Sequence, residues 1–450
     1  MADIRVLVQN VVTQGDADSS VFFSPVWVGF HDGTFNPFDE GEAASEAIER
    51  VAEDAIFAPT DDFPVTISTE FADSETGSTA GVIPSSSGEG FTLGSLGVAA
   101  FEVDETQGRY LSYASMILPS NDAFIANENP TRDNLEIFSE DGSFLGTDFT
   151  VTGARVWDAG TEVNDEIPAN TAALGQEAPD TGDDENGTVQ FHPGFIGSER
   201  EGSDEVGGIL DAREDADFTT ENDGADFGIA RITVLQDIVG DAEDNPISGT
   251  ALPDSIFGLA GNDTLNGLDG RDWVVGGAGD DLIRGGDGDD ILEGRPGFDR
   301  LLGGDGDDIL RGGQGRDRLN GGAGNDTLMG GASIDFFIFN TNDTFDTEDV
   351  GVDTIKDFNT DQDFILLDRS TFAAITSDSS SRANPGFSVS SEFALVATDA
   401  AAATSDALIV HSIESGNLYY NPNGATADFG NGGLFANVTP ALEGDNFILR

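Results

Sequence analysis

GGAGDDLIRGGDGDDILEG, residues 276–294, repeats itself after nine positions. Followed outward in both directions, the same nine-residue unit tiles the chain ten times from Gly249 to Ile338. Asp holds the sixth place of every unit: Asp254, Asp263, Asp272, Asp281, Asp290, Asp299, Asp308, Asp317, Asp326 and Asp335. An aliphatic or aromatic residue holds the eighth: Ile256, Leu265, Val274, Ile283, Leu292, Leu301, Leu310, Leu319, Leu328 and Phe337. A fixed short period of this kind marks stacked units, each too small to bury its own apolar face. A flexible glycine-rich linker would keep no such hydrophobic register.

The chemistry follows from the places. Glycines at the first, second and fourth places admit positive φ and turn backbone carbonyls inward. The three residues after each Asp make a short strand whose central side chain points into the solenoid. Two units complete one coil, so units two apart in sequence stack on each other. The sixth-place carboxylate joins the inward carbonyls in a cage of hard oxygens, without His or Cys, which suits Ca²⁺. The candidate ligands are Asp263, Asp272, Asp281, Asp290, Asp299, Asp308, Asp317 and Asp326, with the fourth-place Gly261, Gly270, Gly279, Gly288 and Gly306. The third-place Asp269, Asp287 and Asp305 add further acid. Departures limit the count: GTALPDSIF at 249–257 lacks the inner glycines, and Ser333 replaces the last fourth-place glycine. Pro296 and Phe298 enter one turn, and Arg271 and Arg316 sit beside their Asp. Eight competent turns, four per flank with three gaps each, hold about six ions.

These units closely resemble the RTX (repeats-in-toxin) family. The resemblance implies a parallel β-roll whose sixth-place Asp and turn carbonyls bind calcium, in proteins exported by type I secretion.

Composition constrains the whole chain. Its 450 residues leave room for two or three domains, and 32 Phe within a 38% apolar composition allow real cores. Against 85 acids stand 19 bases, a formal charge of −66, and a field of that sign repels phosphate backbones and anionic lipid. Nucleic acid is therefore not an expected partner. Cysteine is absent, which removes disulfides, thiolate nucleophiles and zinc–thiolate sites. No apolar run is long enough to span a bilayer, and MADIRVLVQN lacks the basic start and apolar core of a signal peptide. The expectation is an extracellular protein, secreted without an N-terminal signal peptide.

Residues 1–240 form a separate domain. Ile4, Val6 and Val8 alternate as in a strand, VFFSPVWVGFHDG follows at 21–33, and RYLSYASMILP, FTVTGARVWDAG and IARITVLQD supply more strands. EGEAASEAIERVAEDA, 40–55, is the one helix, with Ala44, Ala47, Ile48, Val51 and Ala52 on a single face. Many strands and one helix predict an antiparallel β-sandwich. PVWVGFHDGTF, SYASMILPSNDAF, VWDAGTEVND and ARITV resemble a bacterial-type spondin N-terminal domain, across nearly all of residues 2–237. That resemblance implies a β-sandwich with one calcium in loops at one end, ligated here by Asp122, Asp158 and Glu162. Ala123 and Glu162 depart from the Trp and Asp that animal members carry, which leaves the ion's geometry open.

Beyond the repeats, DFFIFN and DTIKDFNTDQDFILLD predict strands that extend and cap the solenoid over 339–450, and NLYYNPNGATADFGNGGLF predicts a hairpin. The ending EGDNFILR is similar to RTX secretion signals. The fold class expected is all-β: an antiparallel sandwich over 1–240, a calcium-binding β-roll over 249–338 and a β-rich cap.

An RTX-tailed extracellular hydrolase, acting on polysaccharide for example, is the rival to a non-enzymatic recognition protein. No H-E-x-x-H, G-x-S-x-G or P-loop occurs, and His31, His192 and His411 stand apart in sequence. No acid pair is singled out for glycosidase chemistry. The expected function is calcium-dependent adhesion or recognition of an extracellular glycan or protein. About six calcium ions belong to the repeats and one to the sandwich, and the type I secretion machinery is the expected export partner.

Overall fold

A computed structural model describes residues 1–11, 22–38, 42–60, 64–74, 77–86, 91–92, 94–118, 123–127, 135–152, 156–159, 190–191, 228–341, 343–423, 429 and 432–450. The chain is nearly all β and divides into two compact units, Met1–Gln236 and Asp237–Arg450.

In the first unit, Ala2–Asn10 lies antiparallel between Leu96–Val103 and Gly228–Val239, and the latter also pairs with Thr147–Thr152. A second antiparallel sheet places Val26–His31 between Gly77–Ile83 and Tyr110–Leu118, and continues through Ala123–Ala126 and Val156–Asp158 to Gln190–Phe191. Ile4, Val6 and Val8 of the first sheet share one core with Val26, Val28 and Phe30 of the second. The opposite face of the second sheet presents Trp27, Phe124 and Trp157, which a helical layer covers. Val26–His31 is consequently buried at every position, which explains why its sequence runs apolar without alternation. Gly29 belongs to this packing: a Cβ there would meet the rings of Trp27 and Phe71.

The helical layer differs from expectation at both ends. The first helix is Glu46–Asp54 rather than 40–55, because Ser45 caps it: its Oγ accepts the Ile48 N–H at 3.3 Å. Ala55, at φ 54°, ends it. Ala47, Ile48, Val51 and Ala52 do face the core. A second helix, Ile67–Asp73, has no counterpart in the sequence reading. Its Ile, Thr and Phe favour strands, and the Thr66–Thr69 capping box with burial of Ile67 and Phe71 overrides that preference.

The second unit is a parallel β-solenoid with two flanks. One flank stacks Asp254–Ala260, Trp273–Ala278, Ile291–Gly297, Ile309–Gly315 and Thr327–Ala332. The other stacks Pro246–Ser248, Thr264–Asp269, Leu282–Asp287, Arg300–Asp305, Arg318–Ala323 and Phe336–Phe339. Each residue pairs with the one eighteen positions on, as Ile283 does with Leu301, so two nine-residue units make one coil. All ten eighth-place side chains are buried in one continuous core. Positive φ at Gly279 sets a turn in which a Cβ would collide with the Gly261 carbonyl.

The stacking outlasts the glycine repeat. Asp353–Ile355 and then Gly433–Val438 extend the first flank, and Phe364–Leu367 and then Phe447–Leu449 extend the second. Asn417–Tyr420 pairs antiparallel with Gly433–Val438 as the expected hairpin. Phe345, Phe372, Tyr420 and Phe435 close the core above the last coils. The solenoid also starts one unit earlier than the sixth-place Asp pattern shows. Gly240–Ser248 forms a rung with Asn245 in the sixth place and the strand Pro246–Ser248 after it.

His31 generates a pH test for the first unit. It is fully buried, its Nδ1 accepts the Gly33 N–H at 3.1 Å, and its Nε2 lies 3.0 Å from Ser112 Oγ. Burial lowers its pKa from 6.5 to about 4, against the pull of Asp32. A histidine held neutral stabilises the fold above the unfolded value, and that stability is lost as pH falls from about 6.5 to about 4. NMR titration of the His31 ring is expected to show a midpoint near 4, and a midpoint above 6 would contradict this environment.

Candidate metal centre

Each turn of the solenoid begins with its sixth-place Asp. From Asp272 onward the Oδ1 of each accepts the backbone N–H of the Asp one coil earlier. Asp254 donates to Asp272, Asp263 to Asp281, Asp272 to Asp290, Asp281 to Asp299 and Asp290 to Asp308, all at 2.7–2.8 Å. Asp299 donates to Asp317, Asp308 to Asp326 and Asp317 to Asp335, at 2.8–2.9 Å. Two carboxylate columns therefore run the length of the solenoid, one on each flank.

The other oxygen decides the chemistry. Among the described residues, Oδ2 of Asp263, Asp272, Asp281, Asp290, Asp299, Asp308, Asp317, Asp326 and Asp335 is buried with no hydrogen-bond partner. An unpaired buried carboxylate oxygen is costly, and one in every turn calls for cations. Each lies against the first-place glycine of its own unit. A Cβ on Gly285 would collide with Asp290 Oδ2 and approach the Gly303 carbonyl oxygen at 2.7 Å. Gly303 has the same relation to Asp308 Oδ2 and the Gly321 carbonyl. Carboxylate and carbonyl oxygens thus converge where only glycine leaves room. No group of three or more His, Cys, Asp or Glu side chains gathers among the described residues. Any cage must be completed by main-chain carbonyls, a hard-oxygen set that fits calcium.

Electrostatics agree. Burial, reinforced by neighbouring carboxylates and opposed by the ladder N–H, pushes Asp281 up to about 6 and Asp290 and Asp308 to about 8 and about 9. Asp272, Asp299 and Asp335 rise to about 7. Burial likewise raises Asp317 and Asp326 to about 6. An acid whose pKa rises on folding stabilises the fold at low pH, and that stability is lost as pH rises through the folded value. At neutral pH the metal-free columns oppose folding, and a dication relieves them.

Protein donors reach the ends of the columns, and at Asp254 they leave Oδ1 buried without a partner. Asp254 Oδ2 accepts from the Thr250 N–H at 2.6 Å and its hydroxyl at 3.0 Å. At the opposite end Asp363 Oδ1 takes the Asp335 N–H and its Oδ2 the Asn359 N–H. Asn245, a neutral amide, starts the second column by donating its N–H to Asp263. Asp353, fully buried and held well above the usual carboxylate range by burial, continues the first column from Asp326. Asp335, Asp353 and Asp363 are absent from the ligand set drawn from sequence. The signal exists: G-V-D-T-I at 351–355 keeps the fourth, sixth and eighth places, and D-F-I at 363–365 keeps the last two.

The remaining candidates fall in different settings. Gly261, Gly270, Gly279, Gly288 and Gly306 all have positive φ, and each donates its N–H to the third-place carbonyl of the next coil at 2.7–3.0 Å. Asp269, Asp287 and Asp305 stand in register at the ends of neighbouring strands, exposed. A further ladder appears at the fifth place, running the other way. Asn262 Oδ1 accepts the Asp280 N–H, Asp280 that of Phe298, Asp289 that of Asp307 and Asp307 that of Asn325, at 2.7–2.9 Å. In the first unit, Asp158 pairs through its backbone with Ala123, while Asp122 and Glu162 lie outside the described residues.

Residues 239–274, 266–301 and 302–337 match the family profile described as the RTX calcium-binding nonapeptide repeat (4 copies). The solenoid carries RTX calcium-binding repeats. The match begins at the Asn245 rung that the Asp pattern alone omits. No curated protein matches the chain. Among solved structures, the AlgE6R3 subunit of the Azotobacter vinelandii mannuronan C5-epimerase matches at 20% identity over 47% of this chain and 81% of that one. Its TM-score of 0.13 carries no structural argument.

The unequal environments of the RTX carboxylates make a mutational prediction. Asp308→Asn keeps the Oδ1 acceptor but removes the charge of an unpaired seat. It is expected to raise the half-saturating calcium concentration roughly tenfold, the loss of about 1.4 kcal/mol. Asp254→Asn, whose Oδ2 already has two donors, is expected to change it less than twofold. Calcium titration followed by circular dichroism checks both, and equal shifts would contradict the distinction between an open Oδ2 and one already held by Thr250.

Proposed function

We propose that the chain is an exported, non-enzymatic recognition protein whose RTX solenoid folds when it meets extracellular calcium. The row of buried, unpartnered Asp Oδ2 atoms carries this reading. With low calcium the columns repel and the many glycines favour the disordered chain. With calcium each filled seat adds about 2.7 kcal/mol when the free ion stands a hundredfold above its dissociation constant. A chain kept unfolded inside the cell suits passage through a type I secretion channel, and calcium outside then locks it. In this reading residues 249–338 are the switch and hold about six ions, and residues 339–450 cap it and contain the secretion region. Residues 1–240 are a spondin-like recognition module with one calcium at Asp122, Asp158 and Glu162, directed at an extracellular glycan or protein.

Two histidines support the non-enzymatic reading over a hydrolase. His31 is buried and hydrogen-bonded as described, and His411 is buried with Nε2 3.1 Å from the Val438 carbonyl and Nδ1 accepting the Leu442 N–H. Both hold backbone in place. His192 lies outside the described residues.

Far-UV circular dichroism of the full chain, titrated with calcium and separately with magnesium, tests the switch. A steep rise in β signal with calcium and little response to magnesium is expected. A full β signal in chelator, or an equal response to magnesium, would overturn it. Bound calcium measured on the same material is expected to fall by one ion in Asp158→Ala with the solenoid transition unchanged. Unchanged stoichiometry would remove the sandwich site.

A further inference from the structure

The charge of the chain hides one basic surface. On the flank that runs from Thr264–Asp269 to Phe364–Leu367, none of the outward seventh and ninth places holds an acid, in a chain with 85 of them. The seventh place forms a straight row: Arg300 pairs with Arg318, Arg318 with Phe336 and Phe336 with Phe364. At about 4.8 Å per strand this row is about 14 Å long. The Arg318 guanidinium lies over the Phe336 ring at 5.9 Å, and the Phe336 and Phe364 rings stack at 5.8 Å and 20°. Beside it, Arg316 lies 5.2 Å from the ring of Phe298, which is 55% exposed.

The guanidinium groups here have no carboxylate partner, unlike several on other faces. Arg231 is forked on Asp148, and Arg311 and Arg295 meet Glu293. Among the described residues Arg300, Arg316, Arg318 and Arg450 pair with none, and Arg318 Nε is buried without an acceptor. Burial and the like charges of Arg450, Arg300 and Arg316 hold the Arg318 pKa below its ordinary value. Arg318, part-buried against Phe336 with its Nε unpaired, lacks an acceptor that an anion would supply.

We propose that this row is a binding track for a linear acidic polysaccharide, with carboxylate or sulfate groups on Arg300 and Arg318 and sugar rings on Phe336 and Phe364. The guanidinium fork takes either anion bidentately, and the flat rings offer apolar faces to a sugar. The exposed row of Asp269, Asp287 and Asp305 lies at the edge of the same face. Its charge opposes a broad acidic protein surface or a nucleic-acid duplex. This inference names a ligand class for the recognition reading and rests on the solenoid being folded, hence on calcium.

Retention of the full chain, in millimolar calcium, on immobilised heparin, polygalacturonate and neutral dextran tests it. Binding to the two acidic polymers, weakening as salt rises, is expected. The Arg300→Ala/Arg318→Ala double variant is expected to bind them at least tenfold more weakly, and Arg311→Ala on the other flank to bind as the parent does. Binding no stronger than to dextran overturns the proposal. So does equal binding by the double variant, which is the result of calcium bridging through the acidic turns. Retention on duplex DNA as strong as on polysaccharide also overturns it. The calcium-dependent dichroism of the double variant separates the two readings. A normal transition in the variant shows that its loss of binding is not loss of fold. In the parent chain, a normal transition without polysaccharide binding rejects the track alone, and no transition rejects the calcium switch.

Discussion

One carboxylate with two unequal oxygens organises the solenoid. From Asp263 to Asp335, Oδ1 of each sixth-place Asp satisfies a backbone N–H one coil back, as in Asp290 accepting from Asp272. Oδ2 is sequestered without a partner. The first oxygen makes the coil spacing, because a chain of side-chain-to-backbone bonds binds each rung to the next independently of the strand ladder. The second makes the fold conditional, because a buried, unpaired carboxylate must be protonated or neutralised by a cation. Glycine at the first place follows from the same atom, since any Cβ there would occupy the space between Oδ2 and the carbonyl of the next coil. The eighth-place aliphatics add burial, which is substantial but common to many solenoids. The charged element is what makes this one respond to an ion.

The period, the inward face and the carboxylate column were legible in the sequence because each is written at a fixed spacing. What escaped is what breaks that spacing while keeping its physics. Asn245 replaces the carboxylate with an amide, so the Asp pattern begins one rung late. Asp353 and Asp363 come 27 and 28 residues after their ladder partners Asp326 and Asp335 rather than 18, and intervening segments loop out between rungs. The fifth-place ladder escaped because Asp and Asn alternate there without a strict rule, and backbone N–H direction is not written in residue type. In the first unit the strands were legible from apolar runs. The short helix Ile67–Asp73 was not, because its residues favour strands and tertiary burial decides.

The ends of the columns give the solenoid a polarity in what it asks of its surroundings. Thr250 supplies donors to Asp254 Oδ2 while its Oδ1 stays buried without a partner, whereas Asp363 has a protein donor on each oxygen. The strand Phe447–Leu449 then lies as a buried rung on Phe364–Leu367. The acid-and-apolar ending EGDNFILR therefore closes on a strand of the folded solenoid. Opposite requirements meet in one unit: acid turned inward to await a cation, and arginine on an outer face without acid. The chain's formal charge of −66 conceals both, since a sum records neither direction nor burial.

Hydrogen exchange of individual backbone amides tests the central claim most directly. The N–H groups of Asp263, Asp272, Asp281, Asp290, Asp299, Asp308 and Asp317 are each bound to a column carboxylate. In saturating calcium they are predicted to be strongly protected, and in chelator at neutral pH to exchange at the rate of an unfolded chain. The amides of Ala2–Asn10 in the first unit are predicted to stay protected in both conditions. Protection of the column amides in chelator at neutral pH would contradict the account, because the ladder would then stand without a cation on its second oxygen.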